Sequence, residues 1–203
     1  MAERDLFGEQ RPAVLPLDGE KGQKERGAFF TPDALALAIA RTLGSSLGIV
    51  GPDRIFEPGC GGGAFLRAAR ETWPAALLDG VDLLPACSGP GHVEQRDLFT
   101  VEDHYDLVLG NPDFAIAEKV VRHCLKLVPE GGHVALLLLA SFEESAGRVP
   151  LFNEFPLYAR QMIAQRASFT ADGATDQRPY ALFVWRRGFA GSEYRGLRPL
   201  VWR

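Results

Sequence analysis

Cysteine and histidine are scarce here, three and four among 203 residues. Cys60, Cys87 and Cys124 form no CxxC pair and hold no spacing to a histidine that suits zinc. That argues against a metal ribbon or a disulfide scaffold, and for buried thiols in a reducing cytoplasm. No metal site is expected. Long apolar runs are also missing: the longest, Val134 to Ala140, is far too short to span a bilayer. The first 28 residues are polar, so neither a signal peptide nor a membrane partner is expected. The chain has no internal repeats and no low-complexity tract.

The net charge of −4 conceals an uneven distribution. Residues 1–150 carry 14 Lys/Arg against 22 Asp/Glu, whereas residues 151–203 carry 8 Arg against 4 acids. A basic final quarter suits a phosphate backbone, but it suits a solvated face equally well. Charge alone does not name a partner.

What the chain does have is an alternation of strands and helices. Residues 1–28 lack periodicity and are expected to form a flexible arm. Residues 29–190 hold the patterned domain, and 191–203 form a tail. Thr31 as N-cap and Pro32 at the first helical position predict a helix that stops at Gly44. Strands are expected at 54–56, 77–83, 92–97, 105–110 and 133–139, with helices through 65–73 and 116–127. Residues 159–169 and 178–187 read as two closing strands around a turn. Near-continuous apolar strands joined by helices imply an α/β fold with a parallel sheet covered on both faces and an antiparallel hairpin at the end.

The first strand runs into EPGCGGGAF, residues 57–65, with Gly59, Gly61 and Gly63 spaced for a tight turn that lets a ligand approach the backbone. The second strand ends at Asp82, about 20 residues on, where a carboxylate can take both hydroxyls of a ribose. The third ends at Asp97-Leu98-Phe99, a neighbour for an adenine ring and an acceptor for its amine. Glu57, Asp82 and Asp97 thus belong to the carboxyl ends of adjacent strands. So much negative charge suits a pyrophosphate poorly and a nucleoside bearing an amine and a sulfonium well. The cofactor this points to is S-adenosylmethionine.

The fourth strand, Leu107-Val108-Leu109-Gly110, ends in Asn111-Pro112-Asp113-Phe114. Together FFTP (29–32), EPGCGGG, Asp82, RDLF (96–99) and NPDF resemble, in that order, the N6-adenine DNA methyltransferases of class I. LKLVPEGGHVALLL (125–138) resembles their fifth-strand region. The segment 167–185 resembles the ending of small phage-type members. The resemblance covers about residues 26–187. It implies a Rossmann-like, mostly parallel seven-stranded sheet and direct in-line methyl transfer to the N6 amine of adenine in DNA. On this reading the Asn111 side-chain oxygen and the Pro112 carbonyl accept the two amine N–H bonds, Asn111 also borders the cofactor, and Phe114 stacks on the flipped base. Phe30, Thr31 and Pro32 would close over the methionine moiety, and Phe169 would flank the base from its other side.

Asp113 departs from the family pattern, which has a second proline. Proline fixes φ and removes an N–H, so aspartate restores freedom and adds charge near a pocket for a neutral base. Tolerated drift, lost activity with retained cofactor binding, and contact with the substrate amine all remain open. The same loop also serves RNA-base and protein-glutamine methylation. The segment 140–161 is the candidate nucleic-acid surface, with Arg148, Arg160 and Arg166 as candidate phosphate contacts. A partner or second subunit is a further possible source of target recognition.

Overall fold

The computed structural model describes residues 31–84, 88–165 and 178–202. Phe29, Phe30, Cys87, Arg166, Phe169 and the arm 1–28 lie outside the described residues. The first element is helix α1, Asp33–Leu47, whose Leu35, Ala36, Ile39, Ala40 and Leu43 form one buried stripe. It departs from expectation at both ends. Pro32 stands before the helix, and its carbonyl accepts from the amides of Leu35 and Ala36. The helix also passes through Gly44 to a left-handed Gly48.

Strand β1 (Arg54–Pro58) follows, then helix α2 (Ala64–Thr72), β2 (Leu77–Asp82) and β3 (His92–Gln95). After a 3-10 turn at Leu98–Thr100 come β4 (Leu107–Gly110), helix α3 (Ala117–Leu127) and β5 (His133–Leu139). Two 3-10 turns and a short helix α4 (Val149–Glu154) lead to β6 (Leu157–Met162), β7 (Tyr180–Arg186) and the two-residue β8 (Arg195–Gly196). The sheet order is β3-β2-β1-β4-β5-β7-β6-β8. β7 runs antiparallel to β5 and β6, and the other pairings are parallel. This is the expected mostly parallel sheet with its closing hairpin, extended at one edge by β8. Among the described residues no helix is long and apolar enough to cross a membrane.

Alternation along the strands divides the core. Ile55, Leu107, Leu109, Ala135 and Leu137 pack under α1 and α2, whereas Phe56, Val108, Val134, Leu136 and Leu138 pack with Val120, Val121 and Cys124 of α3. Removing one such leucine from water contributes about 1.5–3 kcal/mol. Cys124 is a buried free thiol. Cys60 is disulfide-bonded, contrary to the expectation of thiols throughout, because separation along a chain does not reveal spatial pairing.

Polar contacts align the strands. The Asp106 carboxylate accepts from the amides of Asp53 and Arg54, each at 2.9 Å, and its carbonyl accepts from His133 N. The starts of β1, β4 and β5 are thereby tied, which sets their far ends side by side. At that far end a side chain on Gly110 would approach Pro58 Cδ at 3.2 Å, so glycine lets the ends of β1 and β4 draw close. The chain leaves β1 toward β2 and β3, then returns to β4 on its other side. That reversal opens a crevice at the carboxyl ends of β1 and β4.

At the opposite end, burial lowers the His133 imidazole to about 4, with Arg186 adding to the effect. A histidine depressed in the folded state contributes stability above its ordinary value of 6.5, and that stability is lost as pH falls toward 4. Urea unfolding of His133→Phe should therefore show a flatter loss between pH 6.5 and 4.5 than the unaltered chain. Parallel pH curves for the two proteins would contradict this.

Candidate active site

Asn111 leaves the end of β4 half-buried, and its Nδ2 donates to Thr31 Oγ1 at 3.1 Å across 80 residues of sequence. Two residues expected to serve one site are thus in direct contact. Thr31 is free to make this bond because Pro32, rather than Thr31, stands at the helix start. With its nitrogen engaged, the amide turns Oδ1 to a place sealed from water where it has no hydrogen-bond partner among the described residues. A buried acceptor without a donor costs on the order of 1–3 kcal/mol. The arrangement therefore favours any ligand that brings an N–H.

Pro112 is buried and Asp113 exposed. Asp113 Oδ1 accepts from Ala115 N at 2.9 Å, and the Asp113 carbonyl accepts from Ile116 N at 3.2 Å. The carboxylate closes a local turn that leads into α3. Aspartate thus supplies through a side-chain bond some of the turn stiffness that proline supplies through its ring. Phe114 is half-buried between the two core clusters. Its ring centroid lies 5.7 Å from that of Tyr180 at an interplanar angle of 46°, and Arg178 Cζ stands 5.9 Å over the ring.

The glycine loop is built by its acids. Asp82 Oδ2 accepts from Gly61 N and its Oδ1 from Leu84 N, both at 2.8 Å. Each oxygen keeps a lone pair for a further donor such as a hydroxyl. Glu57 is 4% exposed, and its Oε2 accepts from Leu66 N at 2.8 Å, joining β1 to the first turn of α2. Burial raises its carboxyl to about 8 against the pull of the Leu66 and Phe65 amides. At neutral pH the formal charge at these strand ends therefore comes from Asp82 and Asp97. Asp97 Oδ1 accepts from Phe99 N at 2.9 Å, which caps the turn that carries half-buried Leu98.

The three glycines differ. Gly59 has φ 64, and a side chain there would meet nothing within 4 Å, so the loop opens onto space. Gly63 has φ 71, and a side chain there would strike the Ser88 carbonyl, so its role is close packing. Arg67 adds a strap: its guanidinium donates to both Asp33 Oδ1 and the Gly62 carbonyl. The start of α1, and Thr31 with it, is thereby tied to the glycine loop.

Two of the candidate phosphate contacts, Arg148 and Arg160, hold protein partners. Arg160 pairs with Glu143 at 2.9 Å, donates to the Ala140 carbonyl at 3.2 Å and lies over Phe183. Arg148 donates to the Phe142 carbonyl at 2.9 Å and covers the Phe142 ring. Both guanidinium groups hold the segment after β5 in place. Tyr180 and Arg178 beside Phe114, and Arg67 beside the glycine loop, are neighbours of these residues that the sequence pattern did not single out. Tyr180 and Arg178 carried a usable signal: the first residues of a closing antiparallel strand stand at the carboxyl end of the parallel ones.

A cavity of about 700 Å³ lined by Ile49, Val50, Trp73 and Pro74 among others lies at the amino ends of β1 and β2. It lies away from all of these groups.

No protein-family model and no curated protein sequence matches the chain. Solved structures do. A type I restriction-modification methyltransferase subunit from Streptococcus thermophilus is similar over 92% of this chain and 54% of its own, with TM-score 0.66 and 12% identity. This chain thus spans about half of that subunit. Magnesium protoporphyrin IX methyltransferase from Synechocystis, solved with bound SAM, is similar over 91% of this chain and 89% of its own, with TM-score 0.55 and 13% identity. A Pyrococcus horikoshii protein assigned as an RNA methyltransferase is similar over 79% and 88%, with TM-score 0.63 and 16% identity. The likeness establishes the fold: a Rossmann-like sheet of the kind these methyltransferases share.

The buried Glu57 carboxyl gives a test of the loop. A carboxyl raised from 4.5 to about 8 leaves folding stability intact below 4.5, and that stability is lost as pH rises to about 8. Glu57→Gln does not titrate. Its melting temperature relative to the unaltered chain should climb between pH 5 and pH 8, by the equivalent of ~1.4 kcal/mol per pH unit at most. A difference independent of pH would show that Glu57 is ionised in the folded protein.

Proposed function

We propose that this chain is an S-adenosylmethionine-dependent methyltransferase acting on the N6 amine of adenine in DNA. The observation that carries the reading is the Asn111 amide, with its nitrogen held by Thr31 and its oxygen buried without a donor among the described residues. An exocyclic amine is a weak nucleophile because its lone pair is delocalised into the ring. Asn111 Oδ1 accepts one amine N–H and the Pro112 carbonyl the other, which favours a pyramidal nitrogen and aims its lone pair. Phe114 offers a face for the base, backed by Tyr180.

The cofactor supplies an electrophilic methyl on a sulfonium. The residues present fit it: open space at Gly59, remaining acceptor capacity on Asp82, and a carboxylate surrounding that suits a cation. At the start of α1 Thr31 touches Asn111, and Arg67 joins Asp33 to the Gly62 carbonyl, as closure over the methionine moiety requires. The Synechocystis methyltransferase carries SAM on the same fold, which supports this assignment. The basic final quarter, and the restriction-modification subunit among the similar folds, support DNA as the acceptor. Asp113 is compatible with activity, since its carboxylate faces the Ala115 amide.

The test is transfer of labelled methyl from SAM to duplex and single-stranded DNA, followed by nucleoside analysis. N6-methyladenine is the expected product. Label in an RNA base or in a glutamine amide would redirect the reading, and SAM binding without turnover on any acceptor would make the chain a binding protein. Asn111→Ala should lose ~100- to 1000-fold in rate, the scale for removing one transition-state hydrogen bond, a larger loss than in SAM affinity. Asp113→Pro should stay within about fivefold of the unaltered rate, the scale of a backbone-entropy change. A gain of several orders of magnitude would identify Asp113 as an inactivating residue.

A further inference from the structure

We propose that the β8 edge of the sheet is the surface that holds the phosphate backbone of a nucleic-acid substrate, with Arg186, Arg195 and Arg198 as its contacts. The inference deepens the reading above and rests on its nucleic-acid acceptor. Elsewhere in the fold arginines are engaged: Asp79 holds Arg54, Glu118 and Glu154 hold Arg122, and Glu143 holds Arg160. Arg186, Arg195 and Arg198 are exposed, and none of their guanidinium groups has a carboxylate or carbonyl partner among the described residues. Between Arg186 and Trp202 the chain has four arginines and a single acid, Glu193. The basic excess of the last quarter of the sequence thus gathers at one edge.

Local structure arranges these cations. The register of β6 against β7 shifts between Leu157 and Ala159, and the bulge sends the consecutive Tyr158 and Ala159 into the same α1-side cluster. Arg186 at the end of β7 and Arg195 on β8 come from the two strands that flank β6, and their Cζ atoms lie 5.8 and 5.4 Å from the Tyr158 ring centroid. Contact with a ring face satisfies no N–H donor, so both forks keep their hydrogen bonds for a ligand. The chain after β8 then follows β6 toward its carboxyl end. Leu197 N donates to the Arg160 carbonyl at 3.1 Å, Gln161 Nε2 to the Arg198 carbonyl at 2.9 Å, and Leu200 N to the Met162 carbonyl at 2.8 Å. Arg198 therefore stands toward the same end of the sheet as Asn111, four strand spacings or about 19 Å away. A strand of about six nucleotides spans that distance. Asp82 and Asp97 lie on the other side of Asn111, at the ends of β2 and β3, and repel phosphate. Planar forks suit bidentate contact with phosphate, and the course of the edge toward the Asn111 end favours the substrate's own backbone over an acidic protein.

The experiment is fluorescence anisotropy of the full chain with a labelled single-stranded adenine-containing oligonucleotide longer than that span, across a salt series. Arg186→Gln, Arg195→Gln and Arg198→Gln should each weaken binding about fivefold at ~0.1 M salt and lower the slope of log affinity against log salt by about 0.7, one phosphate contact on a single strand. The three together should lower it by about 2. Arg186→Lys, Arg195→Lys and Arg198→Lys combined, which keep the charge, should restore the slope. Lys126→Gln, the same charge change at an exposed position on α3 across the sheet, should leave it unaltered. SAM affinity should be unchanged in every variant by calorimetry. An unchanged slope in the triple Gln variant, or an equal loss in Lys126→Gln, overturns the proposal. Displacement of the oligonucleotide by polyglutamate as readily as by unlabelled DNA would make the edge a site for acidic protein and overturn it as well. Methyl transfer to adenine with an unaltered slope sinks this inference and leaves the adenine reading standing, and a lowered slope without methyl transfer does the reverse. No binding by the unaltered chain overturns both.

Discussion

A side-chain amide can face a ligand with either its oxygen or its nitrogen, and the two ends ask for opposite partners. In this protein the choice is made by a threonine hydroxyl at the start of the first helix, which takes the Asn111 nitrogen. The oxygen is then buried, with no donor among the described residues. That single bond joins the helix that precedes the sheet to the end of its fourth strand, and the rest of the architecture holds it in register. The Asp106 carboxylate aligns the strand starts, Gly110 lets Pro58 pack across the strand ends, and Arg67 straps the helix start to the glycine loop. Once a ligand amine reaches it, an acceptor already aimed in this way needs no further turning, which is how positioned groups lower barriers.

The acids around the loop divide their work. Glu57 is largely a strut: it is buried and pinned to the first amides of α2, and it is neutral at ordinary pH. Asp82 is both strut and acceptor, since each oxygen already holds one amide and still has capacity for a hydroxyl. Asp97 caps the turn that presents Leu98. Three carboxylates that look alike on a strand-end pattern therefore differ in charge and availability. The surrounding is less negative than the sequence suggests, though still better matched to a cationic nucleoside than to a pyrophosphate.

Much of the fold was legible because it rests on period and punctuation. The run His133 to Leu139 forms β5 with the expected bounds, and the hairpin follows from two apolar segments around a turn. Helix ends were less legible. Gly44 reads as a stop, yet tertiary packing carries α1 past it to Gly48. Thr31 reads as a cap, but its hydroxyl serves a partner 80 residues away. The arginines show the same limit. Charge on the sequence cannot show that Arg160 is bound to Glu143 and a carbonyl, or that Arg148 covers the Phe142 ring. Asp113 is the clearest case: beside the family pattern it leaves drift, lost activity and substrate contact all open, and in the fold its carboxylate closes the turn it was expected to loosen.

The most direct measurement is a crystal structure of the chain with cofactor product and an adenine-containing oligonucleotide. The account predicts the adenine amine within about 3.2 Å of Asn111 Oδ1, the ring against Phe114, and Nδ2 still on Thr31. An amide turned with Nδ2 toward the ligand, or an Oδ1 satisfied by a protein donor with no flat ring beside Phe114, would contradict it.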